Sequence, residues 1–212
     1  MQEKAREKAP EKAQGTSERP YHHGDLKRTV IETAQEMLRE DKGWQFTLRE
    51  VARRAGVSHA APYKHFPDKG ALLAELAMLG FDGLRRQLAA AVEPPPGSVR
   101  EELMAAGKAY IRFGTANPSL YRLMFSGDAD RGIHPQLDAA ADNAFALLLA
   151  ILERGQESGA LRRNPVRGQA AATWALVHGF TLLAIDGQLL PKKVGADPVD
   201  AVLMSLLEGL EA

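Results

Sequence analysis

The segment from residue 47 to residue 69 constrains the fold more than any other part of the chain, because it encodes a helix and a sharp turn. Thr47 can cap a helix, and the Glu50 side chain can bond back to the Thr47 amide, which completes a capping box. Apolar residues then follow at helical spacing, as Leu48, Val51, Ala52 and Ala55. Gly56 comes next, and glycine ends helices in the left-handed conformation at little cost. The pattern predicts a short helix that ends in a turn.

A second short helix is predicted directly after this turn, over residues 59–66. Val57 can fill the angle between the two helices, and Ser58 can cap the second one. About two turns is the length of the recognition helix in a helix-turn-helix motif, the arrangement that reads the major groove of DNA. The open face of the second helix carries His59, Ala60, Tyr63 and Lys64. The segment therefore indicates contact with double-stranded DNA.

The order of residues in this segment closely resembles the DNA-binding domain of TetR/AcrR-type transcriptional regulators. The match rests on TLREVARRAGVS, then Tyr63, His65-Phe66, and Lys69 followed by Leu72. The resemblance implies DNA contact at the matching positions Arg49, His59, Ala60, Tyr63, Lys64, His65 and Lys69. We expect the two predicted cap residues, Thr47 and Ser58, to belong to the same DNA-binding surface.

Pro62 departs from the commonest pattern of these regulators, which has an apolar residue with a free amide at that position. If Ser58 is the cap, the proline removes the first full hydrogen bond within the second helix, at a modest cost so near the start. We expect Pro62 to fix how the recognition helix enters the groove. The base preferences of relatives without this proline therefore do not transfer to this chain.

Charge is balanced over the whole chain, with 27 Lys and Arg against 27 Asp and Glu, but it is unevenly distributed. Residues 47–70 hold five basic and two acidic residues, whereas residues 76–212 hold 13 basic and 15 acidic residues. On charge alone, a solvated charged face is the more common explanation of such a local excess. Its coincidence with the helix-turn-helix pattern favours contact with nucleic acid.

Several classes of chemistry and location are disfavoured by composition. The chain has no cysteine, which excludes disulfides and thiolate chemistry. The N-terminus lacks the apolar core of a signal peptide, and no apolar run approaches the roughly 18 to 20 residues of a membrane span. We expect a soluble cytoplasmic protein, without cofactor, whose residues 1–20 form a disordered tail. His22 and His23 beside Asp25 could bind a metal, but they more plausibly lie near the DNA backbone at the start of the first helix.

The remaining sequence is divided into helices by glycine, proline and capping residues, and it predicts an all-α fold of about nine helices. The first helix is predicted from near Gly24-Asp25 to about Asp41, and another begins at Asp68-Lys69 and stops before the prolines at 94–96. Ser98 and Glu101 form a second possible capping box. Three later helices are predicted to begin with a cap followed by proline, at Asn117-Pro118, Asn164-Pro165 and Asp197-Pro198.

Two domains follow from these boundaries, a three-helix DNA-binding domain over 21–68 and a helical effector-binding and dimerisation domain over 69–212. A long helix is predicted over 135–158, closed by Gly159, and the last helix runs from Pro198 to near Leu210. An apolar stripe on the last helix comprises Val199, Val202, Leu203, Leu206 and Leu210. The resemblance implies that the last two long helices pair in a dimer, although the stripe could equally form a seam within one chain.

The C-terminal half carries its own resemblances, PSLYRLMF at 118–125 and WALVHGF at 174–180. They resemble the effector domain that some TetR-type regulators share, named for its Trp, His and Gly, here Trp174, His178 and Gly179. Bulky side chains that could surround a ligand, or simply fill a core, are Tyr110, Phe113, Tyr121, Met124, Phe125, Phe145, Trp174 and His178. Trp174 and His178 lie four residues apart, so they share one helical face.

The leading hypothesis is a homodimeric repressor that an apolar or amphipathic small molecule releases from a palindromic DNA operator. An enzyme is one alternative, but the chain has no cysteine, no glycine-rich phosphate loop and no cluster with metal-ligand spacing. A small-molecule carrier or interaction protein without a role in transcription is the other. Sequence-specific operator binding would exclude the carrier, and a screen for turnover would test the enzyme.

Overall fold

A computed structural model describes residues 23–40, 43–95, 97–129 and 134–212 of the chain, with the side chains from residue 26 onward. Within these ranges the protein is all-α, as predicted, and contains no β-strand. The predicted N-terminal tail and His22 lie outside the described residues. The helices are α1 (His23–Glu40), α2 (Leu48–Arg54), a 3-10 helix (Pro62–Lys64), α3 (Lys69–Ala91), α4 (Val99–Ala116), α5 (Pro118–Met124), α6 (Pro135–Glu157), α7 (Val166–Ile185), α8 (Pro191–Val194) and α9 (Pro198–Leu210).

The predicted capping box and turn of the N-terminal helices are confirmed. The Glu50 amide donates to Thr47 Oγ1 at 3.2 Å, and the Thr47 amide donates to Glu50 Oε2 at 2.7 Å. Gly56 has a φ of 68°, which is the left-handed conformation that the turn requires. Five apolar residues at helical spacing on α1 are all buried and pack α1 against the rest of this end: Leu26, Val30, Ala34, Met37 and Leu38.

The recognition segment differs from the prediction of a two-turn α-helix over 59–66. It folds as a tight turn followed by the 3-10 helix Pro62–Lys64. Proline has no amide N–H to donate. The hydrogen bonds on either side of it join residues three apart in sequence, as in a 3-10 helix: Ala61 N–H donates to Ser58 O at 2.9 Å, and His65 N–H donates to Pro62 O at 3.0 Å. The 3-10 helix begins without a side-chain cap, so the predicted capping role of Ser58 is wrong.

Helix α3 joins the two ends of the molecule. Asp68 caps it, with Oδ1 accepting the Ala71 amide at 2.8 Å, and the helix then continues for 23 residues. It contacts α1 at the N-terminal end and packs against α4, α5 and α6 further along. The helix-turn-helix segment at residues 47–66, here called the reading segment, is therefore connected to the C-terminal bundle by one continuous helix.

The helix boundaries of the C-terminal bundle follow the prolines, but the predicted side-chain caps are mostly wrong. Ser98 Oγ does accept the Glu101 amide, at 3.2 Å. Asn117 and Asp197 precede helices that begin at Pro118 and Pro198 without a side-chain cap. The Asn117 side chain instead donates back to Phe113 O at 2.9 Å, because this one residue separates α4 from α5. Pro165 precedes α7 rather than opening it, so the predicted Asn164 cap is also wrong.

Glycines allow helices of the bundle to approach α4 closely. A Cβ atom added at Gly107 would lie 2.6 Å from Leu203 Cδ2 of α9, and one added at Gly114 would meet Thr181 of α7 and the Tyr121 ring. Such distances are too short for real carbon atoms, so a larger residue would force the neighbouring side chains to move, whereas glycine allows these close crossings. The predicted long helix ends as expected, with Ser158 as its C-cap and Gly159 at a φ of 77°.

Candidate nucleic-acid interface and ligand cavity

Seven of the nine residues predicted to contact DNA are exposed on one end of the molecule: Thr47, Arg49, Ser58, His59, Ala60, Tyr63 and Lys64. Tyr63 is 47 % exposed although tyrosine is a large, half-apolar side chain, and it lies within the 3-10 helix. Ala61 and Pro62 face the interior instead, so they anchor the segment while the residues on either side remain available. This arrangement leaves a surface of aromatic, basic and small side chains.

The other two predicted residues, His65 and Lys69, are half-buried. The His65 Nε2 atom is enclosed and has no hydrogen-bond partner among the described residues. Lys69 opens α3, and its Nζ lies 5.7 Å from the centre of the Phe46 ring. A cation over an aromatic ring is attracted by the electron-rich face of the ring. Lys69 therefore presents a positioned positive charge at the start of a helix.

Ion pairs and capping bonds hold the α1 and α2 frame of this surface. Both Arg54 guanidinium nitrogens donate to the Glu40 carboxylate at 2.5 Å, which joins α2 to the end of α1. Hydrogen bonds from Thr47 lower the pKa of Glu50, so this carboxylate stays charged and keeps the capping box closed. The Thr47 hydroxyl also donates to Glu50 at 2.8 Å. Thr47 is thus occupied in the cap, whereas Arg49 extends outward beside it.

A cavity of about 340 Å³, here called the aromatic chamber, lies between α3, α4, α6 and α7. Its size falls in the range of small-molecule sites. A narrower space of about 50 Å³, here called the aliphatic slot, adjoins it on the side of α9 and shares four wall residues with it. The described residues that line the chamber are Phe81, Leu84, Leu88, Tyr110, Phe125, Ala141, Asp142, Ala144, Phe145, Leu148, Trp174 and Val177.

Four of the eight residues predicted to surround a ligand line the chamber, namely Tyr110, Phe125, Phe145 and Trp174. The structure places the other four behind its wall. Tyr121 and Met124 are fully buried, and Met124 packs where a Gly80 side chain would be. Phe113 is also buried and lies beside Gly83, so these residues are part of the core. The sequence prediction missed Phe81, Leu84 and Leu88 of α3, which also line the chamber. An apolar stripe on a helix looks the same in sequence whether it faces a cavity or a core.

His178 belongs to a hydrogen-bonded cluster behind the chamber wall. Tyr121 Oη lies 2.7 Å from His178 Nδ1, and it donates to Tyr110 Oη at 2.9 Å. Trp174 Nε1 donates to the same Tyr110 oxygen at 3.2 Å. The His178 ring also contacts Phe125 edge to face, with ring centroids 4.5 Å apart. The cluster therefore fixes three aromatic rings of the chamber wall relative to one another.

Burial keeps the side chains of this cluster uncharged. It raises the pKa of Tyr110 to about 12 and also raises the pKa of Tyr121. It lowers the pKa of His178 below the ordinary histidine value of 6.5. All three groups are consequently neutral at physiological pH, and they hold one another through neutral hydrogen bonds.

A single hydrogen bond links the loop before α2 to the loop after α5. Trp44 Nε1 donates to Asp128 Oδ2 at 2.9 Å, across 84 residues of sequence. Phe125, which lines the chamber, lies three residues before Asp128, and the Thr47 cap lies three residues after Trp44. The chamber and the candidate DNA surface are therefore joined by a short path of contacts as well as by α3.

Helix α7 leaves much of its apolar surface uncovered. It is the one helix within the described ranges that is long and apolar enough to cross a membrane. Only 33 % of its most apolar 18-residue stretch is buried in the protein. Leu183 is 47 % exposed, and Met204 of the neighbouring α9 is 38 % exposed. Of the predicted α9 stripe, Leu203 and Leu210 are buried within the chain. These two form an intrachain seam, so the uncovered surface lies mainly on α7.

Comparison with known proteins matches both halves of the chain to one family. Residues 31–76 match the family model described as bacterial regulatory proteins, tetR family, and residues 103–210 match the tetracyclin repressor-like C-terminal domain. The chain is 24 % identical to the nucleoid occlusion factor SlmA of Marinobacter nauticus, over 76 % of this chain and 80 % of that protein.

Among solved structures, a protein of unknown function from Rhodococcus sp. RHA1 is 35 % identical, with a TM-score of 0.79 over 92 % of this chain and all of that one. A TetR family transcription regulator from Marinobacter aquaeolei VT8 is 18 % identical and has a TM-score of 0.68. That match covers 89 % of this chain and 97 % of the other, and it supports the same fold.

Proposed function

Because the chain belongs to the TetR family of bacterial DNA-binding transcriptional regulators, we propose that it is a homodimeric repressor that a small molecule releases from its operator. Regulators of this family bind DNA operators and form dimers, and they are generally not enzymes. We propose that this chain likewise acts by binding alone, in the cytoplasm. The effector would occupy the aromatic chamber, and the DNA would meet the surface around Tyr63.

Helix α3 is the observation that carries this proposal. Its first residue is Lys69, and three of its residues, Phe81, Leu84 and Leu88, line the chamber. The distance along the helix from Lys69 to Phe81 is about 18 Å, at 1.5 Å for each residue. A ligand that displaces the chamber end of α3 therefore moves the start of the helix beside the DNA. A packed helix transmits such a shift as a rigid body.

The Trp44 to Asp128 hydrogen bond supports a second route for the same signal. A ligand that contacts Phe125 would move the loop that carries Asp128, since only two residues separate them. The displaced carboxylate would then pull on Trp44, three residues before the α2 cap. Both routes end at the exposed surface around Tyr63, here called the reading surface. Occupancy of the chamber would therefore change the geometry of the whole DNA-binding end.

The uncovered apolar surface of α7, with Met204 of α9, supports dimerisation through these helices. A second copy of the chain would bury this surface, which water solvates poorly. Two reading surfaces would then face half-sites about 34 to 36 Å apart, one turn of the DNA. A shift of a few Å between them would break this register and release the operator.

Selection of genomic DNA fragments by the purified full-length protein tests the proposal. We expect an enriched palindrome with half-sites spaced by one helical turn or a multiple of it. Fluorescence anisotropy with that palindrome would then report whether compounds that raise the thermal stability of the protein also weaken operator binding. Compounds that bind the chamber without changing operator affinity would refute the effector role, and a failure to enrich any sequence would favour the carrier alternative.

A further inference from the structure

The wall of the chamber carries a negative charge at Asp142. Asp142 of α6 is the one charged side chain among the described residues that line the chamber or the slot, and no described Lys, Arg or His lines either space. Asp142 is exposed, so its carboxylate is at the mouth of the chamber and not in its interior. A positively charged ligand group at the mouth would meet an opposite charge there, whereas an anion would meet a like charge.

Aromatic rings surround the same end of the chamber. The Trp174 ring lies 6.0 Å from the Phe145 ring and 6.3 Å from the Phe125 ring, measured between centroids. Asp142 and Phe145 are three residues apart on α6, so they lie on the same face of that helix. Aromatic rings attract cations through their electron-rich faces, and such groups recognise quaternary ammonium ligands. The carboxylate and the rings therefore favour the same kind of headgroup.

The hydrogen-bond donors of Trp174 and Thr173 are already occupied. The Trp174 N–H is donated to Tyr110, and the Thr173 hydroxyl in the slot is donated to Gln169 O at 2.8 Å. The Tyr110 oxygen already accepts bonds from Trp174 and Tyr121. A buried carboxylate or phosphate of a ligand would find few donors to replace its lost water, and that loss is costly.

The aliphatic slot offers a second, purely apolar environment. The slot residues beyond those shared with the chamber are chiefly aliphatic, among them Leu103, Met104, Leu203, Leu206 and Leu207. Its volume of about 50 Å³ leaves room only for the end of a narrow chain, so the rest of a longer chain would lie in the chamber. The slot and the chamber share Leu88, Tyr110, Leu148 and Val177 as wall residues, so the two spaces adjoin and a chain that passes between these side chains would reach both.

We propose that the chamber and slot together bind a cationic amphiphile that consists of an ammonium headgroup and a single alkyl chain. The headgroup lies among Phe125, Phe145 and Trp174 with Asp142 at the mouth, and the chain enters the slot toward α9. As the identity of the effector, this inference rests on the proposed function. As a statement about what the chamber binds, it is measured on the protein without DNA.

Isothermal titration of the full-length protein with three ligands of equal chain length tests this inference: decyltrimethylammonium, decyl sulfate and 1-decanol, each below its micelle-forming or solubility limit. We expect the cation to bind at least about tenfold more tightly than the anion, since the cation gains both the carboxylate and the rings. Binding of decyl sulfate as tight as that of decyltrimethylammonium would overturn the inference.

Asp142→Asn provides the specific variant, and Asp138→Asn is its matched control, because Asp138 lies one turn earlier on α6 and does not line the chamber. Asp142→Asn should weaken the cation about fivefold and leave 1-decanol unchanged, because an exposed charge pair contributes about that much. Equal effects of the two substitutions would overturn the assignment of Asp142.

Met104→Trp tests the slot, which this substitution should narrow. It should weaken the binding of decyltrimethylammonium more than that of hexyltrimethylammonium. Equal weakening of the two ligands would exclude the slot.

Operator binding separates this inference from the proposed function. If decyltrimethylammonium binds in the Asp142-dependent manner but leaves operator affinity unchanged, the effector role is wrong and the ligand class is retained. If decyl sulfate binds better and also releases the operator, the ligand class is wrong and the regulatory function is retained.

Discussion

At the scale of single residues, charge and burial give Lys69 and His178 their different roles. Lys69 lies with Nζ over the Phe46 ring at the start of α3, where we expect it to meet a DNA phosphate. His178 is held neutral by burial against Tyr110, Tyr121 and Phe125. We therefore expect Lys69 to act through its charge and His178 through its lack of charge.

Lys69→Ala should weaken operator binding and flatten its salt dependence by about one unit of log-log slope, because one phosphate contact is lost. Fluorescence anisotropy over a series of salt concentrations measures the slope. Lys192→Ala is the control, since it removes an exposed lysine of α8 at the opposite end of the chain. A slope that stays the same in Lys69→Ala would remove this lysine from the DNA interface.

Burial of His178 should make stability depend on pH. Its pKa is lower in the folded protein than the ordinary value of 6.5, so the unfolded chain binds the proton more readily. The free energy of unfolding should therefore fall as the pH drops below about 6.5 toward the folded pKa, and be fully present above it. Urea unfolding of the wild type and His178→Gln across this window gives the difference. Parallel pH profiles of the two proteins would contradict the burial argument.

At the scale of helices, close packing depends on glycine where α4 meets its neighbours. Gly114→Ala adds a methyl group that collides with Thr181 of α7 and the Tyr121 ring. We expect a loss of about 1 to 3 kcal/mol in the free energy of unfolding, because the fully buried Thr181 has no room to move. Chemical denaturation measures the change.

Gly168→Ala in α7 is the matched control, because nothing lies within 4 Å of the added atom. It should leave stability unchanged or raise it slightly, since alanine favours the helix more than glycine. A Gly114→Ala protein as stable as this control would show that α7 can move away from α4 at little cost.

At the scale of the whole molecule, the Trp44 to Asp128 bond should couple the two ends. Trp44→Phe and Asp128→Asn should each preserve operator affinity without ligand and ligand affinity without operator, but reduce the release of operator by ligand about twofold to tenfold. The ratio of operator affinities with and without saturating ligand measures the coupling. Asp186→Asn, which breaks the Arg122 ion pair at the end of α7, is the control and should keep the full ratio. Unchanged ratios in both test variants would leave α3 as the sole route.

Features that depend on neighbours in sequence were predictable. The Thr47 and Glu50 capping box, the left-handed Gly56 and the starts of α5, α6 and α9 at prolines follow from the chemistry of a few neighbouring residues. The buried stripe of α1 follows from helical periodicity alone. Local chemistry also reveals the family resemblance, since the reading segment is one short continuous stretch of the chain.

Features that depend on distant segments were decided only by the tertiary structure. Sequence spacing does not tell that Phe81 faces a cavity while Phe113 fills a core, because the void is what α3, α4, α6 and α7 leave between them. The Trp44 to Asp128 bond joins residues 84 positions apart, and no local pattern encodes it. At Pro62 the sequence shows that an amide donor is missing. It does not show that a 3-10 helix forms there, which depends on burying Ala61 and Pro62 against the rest of the domain. Backbone preferences act within one turn of chain, whereas cavities and long-range contacts arise from how whole helices pack.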